Sequence, residues 1–154
     1  MKKTQKKLGN KGFSLVELIV VIAIMAVLVG VLAPTLIRNV EKSRESTDLQ
    51  NLDSVRQAVI TAMSHEGVAA EYADGGSFSV SNGNTAYNGA GASMSEEMSA
   101  TLAGGITFKS SAAKGKVCKV VIDKNGKVSV GAYNAYADTA AIDCKRNTGK
   151  FISE

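Results

Sequence analysis

The sequence predicts an α+β protein. One long N-terminal helix, transmembrane in its first half, packs against a small antiparallel β-sheet. Three observations carry this. Leu18 to Ala33 is a run of 16 uncharged, mostly apolar residues. Beyond it Val40, Leu52, Val55, Val59, Ala62 and Met63 recur at mostly three- and four-residue steps among Glu, Lys, Arg, Gln and Ser, the period of an amphipathic helix. Nearer the C-terminus, short Val- and Ile-rich runs flank Asn125-Gly126, a hairpin signature.

The chain of 154 residues has room for one domain and an anchor. Aromatic residues make up 5%, Trp is absent and Gly occurs 15 times, so the core is modest. The net charge of +4 is uneven. Lys2, Lys3, Lys6, Lys7 and Lys11 fill the first 12 residues with no acid among them. The remainder nets −1, with 13 basic and 14 acidic residues. No basic stripe survives outside the leader, which argues against nucleic acid as a partner. A Lys cluster beside an apolar span keeps its own end in the cytoplasm. On the other side Arg38, Lys42 and Arg44 are balanced by Glu41, Glu45 and Asp48. The expected topology is N-terminus in, remainder out.

The apolar run is too long for an ordinary secretory signal, and no small-x-small cleavage pattern follows it. A helix from about Phe13 to about Ile37 meets the ~20 residues needed to cross a bilayer. The segment is therefore expected to stay in the mature protein. Residues 14–66 read as one near-continuous helix, roughly 80 Å at 1.5 Å per residue. Ser64-His65-Glu66-Gly67 marks its end, with Gly67 just past the last turn. Pro34 is expected to kink it at the membrane boundary. His65, the only histidine, suits the negative end of the helix dipole and has no partners for a catalytic site.

Residues 67–105 read as a Gly/Ser-rich connecting loop. It holds a short strand at Ser77–Ser81 and a short helix over Met94–Ala103, with a capping box from Ser93 to Glu96. Residues 106–110, 116–123 and 127–133 read as three antiparallel strands. A three-residue loop, Lys124-Asn125-Gly126 with Gly126 left-handed, pairs Ile122 with Val128 and Val120 with Val130. Cys118, Val120, Ile122, Val128 and Val130 then share one face, expected to pack near Leu52, Val55 and Val59.

Cys118 and Cys144 lie in the outward part. An even pair in an exported domain reads as a disulfide closing a loop of about 26 residues; two free thiols are the alternative. Asp123-Lys124-Asn125-Gly126 lacks the ligand spacing of a calcium loop and reads as a plain hairpin turn; Asp138 and Asp143 could join a calcium site, but no metal site is assigned. Ser111-Ala112-Ala113-Lys114 matches a two-position enzyme pattern whose partner motifs are missing. Phosphate loop, zinc spacing and catalytic triad are absent from the sequence, and no cofactor or enzymatic activity is assigned.

The basic leader, Gly12, Phe13-Ser14-Leu15-Val16-Glu17 and the apolar span with Pro34 together resemble a type IV pilin precursor. The resemblance is specific over residues 1 to about 45. It implies a pilin-like fold: 1–12 a leader peptide, 13–37 the transmembrane and assembly helix, 38–66 its amphipathic half, 67–105 the connecting region, and 106–154 the sheet and tail. It implies cleavage by a prepilin peptidase between Gly12 and Phe13, and N-methylation of Phe13. Ser14 stands where the family most often has Thr. A carboxylate in a span costs on the order of 3 kcal/mol at the centre and less near an end, and without Gly12-Phe13 beside it Glu17 would read as snorkelling to the interface. Cleavage puts an amine on Phe13, four residues before Glu17 and on the same helix face. The resemblance implies that Glu17 of an incoming subunit attracts the Phe13 amine of its neighbour. It also implies that a Cys118–Cys144 bridge would pin the tail from Asn134 to Glu154 over the sheet.

By the same resemblance the partners are membrane lipid before assembly, an inner-membrane assembly platform, and further copies of the chain in a helical homopolymer. The location is the cytoplasmic membrane first and a cell-surface filament afterwards. A pseudopilin of a type II secretion or DNA-uptake system shares residues 1 to 45. A membrane-anchored binding protein is a third reading.

Overall fold

The computed structural model describes residues 12–81, 86–102, 105–147 and 149–154. Most of the basic leader, residues 1–11, lies outside them. The chain divides into two compact units, up to Ile37 and from Arg38 onward.

In the first unit, helix α1 begins at Leu15; it runs to Ala62 in the second. It continues through Pro34 rather than ending there. Every large apolar residue from Leu15 to Ile37 is exposed, and none of the most apolar 18-residue stretch is buried. A helix apolar on all sides with nothing packed on it is long enough and apolar enough to cross a bilayer.

The second unit is an α+β domain. Besides the rest of α1 it contains α2 (Glu66–Glu71), β1 (Gly76–Val80), β2 (Tyr87–Asn88), α3 (Ala92–Thr101), β3 (Val117–Ile122), β4 (Val128–Tyr133) and β5 (Ile152–Ser153). The strands form one antiparallel sheet in the order β2-β1-β3-β4-β5. The hairpin has the predicted register, Ile122 opposite Val128 and Val120 opposite Val130. Gly126 has φ +77°, which a side chain would resist. Asp123 Oδ1 accepts the N–H groups of Asn125 and Lys127 at 2.7 and 3.0 Å, closing the turn. Cys118, Val120, Ile122, Val128 and Val130 are buried in one core with Leu52, Val55 and Val59. Each such apolar side chain contributes roughly 1.5–3 kcal/mol on burial.

Four expectations are corrected. The helix does not run to 66: α1 closes at Ala62 with tightened bonds, Ser64 N–H to Thr61 and His65 N–H to Ala62. Gly67 is therefore inside α2, not past a helix end. His65 has extended backbone (φ −83°, ψ 131°) and opens α2, with Nε2 3.5 Å from Glu97.

Residues 106–110 do not form a strand; only Ile106 makes a single bridge. The place beside β3 belongs to β1. The N–H groups of Lys109 and Ser110 are committed to Asp48 instead.

The helix α3 has Gly91 at its N-cap and no side-chain cap bond, so Ser93–Glu96 is not a capping box. Glu71 at the end of α2 supplies the acceptor, taking the N–H groups of Ser93 and Met94 at 2.9 and 3.2 Å. A Cβ at Gly91 would collide with that carboxylate, so glycine here lets the acid reach in. These bonds hold the Glu71 carboxyl below its ordinary value of 4.5, the Ser93 N–H contributing most. The clasp therefore stabilises fully above the unfolded pKa, near 4.5, and fades as pH falls through the lower folded value. Glu71→Gln is expected to flatten the acid limb of a stability–pH curve below about pH 4.5. Identical curves for the two proteins would contradict this.

The fourth correction concerns the cysteines. Both are free thiols. Cys118 is 1% exposed in the core, and burial pushes its thiol up to about 12. A neutral buried thiol packs as a small hydrophobe and resists oxidation. Cys144 is partly buried, and its thiol is raised by burial and then by Glu45 and Asp143.

The tail is pinned without a bridge. Phe151 is buried, and its backbone bonds both Ala132 and Ile142. Tyr136 donates its hydroxyl to the Ser77 carbonyl at 2.6 Å. Lys119 Nζ sits 5.1 Å from the Tyr136 ring and donates to the Asp138 carbonyl. Native protein is expected to label slowly at Cys144 and not at Cys118, with both labelling after unfolding in denaturant without reductant. A mass lower by two hydrogens, with neither cysteine labelling, would contradict this.

Candidate functional site

The residues singled out at the N-terminus, Gly12 to Glu17, straddle the start of α1. Gly12 has nothing within 4 Å of where a Cβ would stand, and Phe13 is 89% exposed. The Gly12–Phe13 peptide bond thus precedes the first helical residue, in exposed chain outside any helix or strand. A protease needs such a segment, because a peptide bond inside a helix cannot enter an active-site cleft without unwinding.

Ser14 is the residue before α1, and its carbonyl accepts the Leu18 N–H at 3.2 Å. Glu17 Oε2 accepts the Ser14 N–H at 2.9 Å. Ser14-Leu15-Val16-Glu17 thus uses one arm of a capping box, the acid three residues in reaching back to the cap backbone. The S-x-x-E spacing was present in the sequence as a signal for this arrangement, and the sequence reading missed it. An acid here also complements the positive end of the helix dipole. Glu17 therefore has a local partner in its own chain. It is the only ionisable residue between Leu15 and Ile37.

A second group of acids, which in the sequence balances Arg38, Lys42 and Arg44, has a structural role in the fold. Glu41, Glu45 and Asp48 continue, toward the N-terminus, the same stripe as Leu52, Val55, Val59 and Ala62, at alternating steps of four and three. Glu45 and Asp48 are 0% exposed. Glu45 accepts the N–H groups of Lys145, Arg146 and Asn147 at 2.7–3.0 Å. Asp48 accepts those of Lys109 and Ser110 at 2.9 and 2.8 Å. Glu41 accepts the Ser111 N–H, which holds its carboxyl below the ordinary range. The upper stripe is a row of carboxylates that satisfies two loops, and the lower stripe is the hydrophobic core.

No group of three or more His, Cys, Asp or Glu residues that could hold a metal ion occurs among the described residues. Asp123 is spent on its own turn.

The family model described as the prokaryotic N-terminal methylation motif matches residues 7–33. This is the cleavage and methylation signal of type IV pilins and pseudopilins. The search of curated proteins and the search of solved structures returned no match. The match spans Gly12, Phe13, Glu17 and the apolar part of α1 as far as Ala33. The chain thus carries the N-terminal signal of a type IV pilin-like or pseudopilin-like precursor on a long apolar helix, with an α+β domain following.

Proposed function

We propose that this chain is the precursor of a structural subunit of a type IV pilus. The observation that carries the reading is the methylation motif on a helix that is apolar on every side as far as Ile37, with Glu17 as the only ionisable residue of that stretch. A prepilin peptidase cuts between Gly12 and Phe13 and the new Phe13 amine is methylated. The protomer waits in the cytoplasmic membrane, N-terminus in, with α1 up to about Ile37 in lipid. An inner-membrane assembly platform lifts it into a filament of identical subunits, where the apolar helices exchange lipid for one another.

Cleavage changes the chemistry of Glu17. In the precursor it accepts from the Ser14 N–H. In the processed chain the Phe13 amine is a stronger donor, because it is charged. Between subunits such a pair, buried among apolar helices, fixes axial register; an unpaired carboxylate there is costly. Gly12 matters at the cut because a bulky or charged residue would obstruct the bond in an active-site cleft. Gly12→Asp is expected to leave residues 1–12 attached and no filament on the cell. An N-terminus at Phe13 in that variant, or normal filaments, would contradict the reading. A wild-type chain that is processed but stays in the membrane fraction would favour a pseudopilin instead.

A further inference from the structure

The sequence sets Arg38, Lys42 and Arg44 against Glu41, Glu45 and Asp48; in the fold Arg44 keeps an ion pair with Glu41 at 3.7 Å, while Glu45 and Asp48 are turned to backbone partners. Glu45 and Asp48 are 0% exposed and face loop N–H groups, and Glu41 is mostly covered. The three cations remain exposed. The clasped loops add more. Lys109 and Lys114 flank the segment held by Asp48 and Glu41, and Lys145 and Arg146 sit on Glu45; all four are exposed. Arg44, Lys109 and Lys114 line one cavity of about 350 Å³ with Phe108.

Segments 38–48, 109–114 and 145–147 thus hold seven cations and three acids, a net of +4. Including Asp143 and Lys150, beside the last segment, adds one charge of each sign. The rest of the domain from residue 38 holds six cations and ten acids, a net of −4. A neutral domain is therefore polarised, with its positive end around the first turns after Ile37. Chain connectivity places that end. Glu41 lies four residues after Ile37, at most about 14 Å of chain.

We propose that this basic collar docks on anionic phospholipid headgroups of the bilayer that the chain's own apolar segment crosses. The proposal rests on the reading that residues up to about Ile37 span the membrane. Each cation held near an anionic surface shifts a binding equilibrium roughly fivefold, and the attraction decays within a Debye length. Backbone-anchored loops present four of the seven, so little ordering is required on docking. Docking would seat the domain of the waiting protomer on the headgroups and would be given up on entry into a filament.

The test uses the full chain reconstituted in vesicles of phosphatidylcholine alone, or with about 30% phosphatidylglycerol. Lysines are labelled with an amine reagent and read by peptide mass. The hairpin lysines Lys124 and Lys127 are the reference. Arg56 bonds the Val128 carbonyl there, and Arg56 is 15 residues, about 22 Å, along α1 from Glu41. Lys109, Lys114 and Lys145 are expected to be protected roughly fivefold or more by phosphatidylglycerol, and released by about 0.5 M salt. A chain that floats with both vesicles but labels equally overturns the proposal alone. Protection that ignores lipid charge but rises with protein density assigns the collar to a second copy, and also overturns it. A chain that fails to float even with neutral vesicles overturns the spanning reading and the proposal with it.

Discussion

Glu17→Val is expected to be cleaved normally, to accumulate in the membrane, and to give no filaments. The two halves of this prediction point in opposite directions, which makes it discriminating. Removing the carboxylate forfeits the bond from Ser14 N–H, worth a fraction of one cap. It also removes the one residue between Leu15 and Ile37 that resists lipid. Membrane residence is therefore unchanged or improved. In a filament the same change leaves the neighbour's Phe13 amine unpaired among apolar helices. Removing one partner of a buried ion pair costs about 3–5 kcal/mol, more than two decades in an association constant. Immunoblots of sheared and membrane fractions check both halves. Wild-type filament yield from Glu17→Val would show that the acid serves only the precursor's helix cap.

Glu45→Ala is expected to destabilise the second unit by about 3 kcal/mol, a shift of the order of 10 °C in melting temperature. Its carboxylate is fully buried and accepts from three consecutive backbone N–H groups. Each buried donor left without an acceptor costs about 1–3 kcal/mol. Water entering the vacated space offsets part of that. Glu45→Gln keeps one acceptor oxygen and should fall between wild type and alanine. The loop at 145–147 is the upper attachment of the tail, so Cys144 labelling should quicken in the alanine variant. Thermal melts of the full chain in mild detergent measure the first effect. A loss below about 1 kcal/mol would put Glu45 in the class of ordinary surface acids.

These predictions draw on features of unequal visibility in the sequence. The apolar run, the stripe from Leu52 to Ala62 and the hairpin register were legible, because local period and turn chemistry decide them. Val120 and Val130 face the core because a slip of one residue would turn every strand side chain outward. The methylation signal was legible because six adjacent residues and a span specify it. What escaped depends on partners distant in sequence. The segment 106–110 alternates like a strand, yet Asp48, about 60 residues earlier, takes its N–H groups. Ser93–Glu96 has capping-box spacing, yet Glu71 takes the helix donors. Glu45 looked like half of a surface charge pair because acid at a core-stripe position reads as solvated unless its acceptor role is known. The i, i+4, i+7 continuation into the core stripe was the available signal. The cysteine pair misled for a related reason: its spacing carries no information on whether the tail needs a covalent staple, and Phe151 with Glu45 already supplies the hold.

The central claim is that the chain is cut at Gly12–Phe13 and built into an external filament. Intact-mass and N-terminal analysis of material sheared from the cell surface tests it most directly. The account predicts an abundant chain that begins at N-methylated Phe13 and carries two free thiols. A chain still bearing residues 1–12 would contradict it.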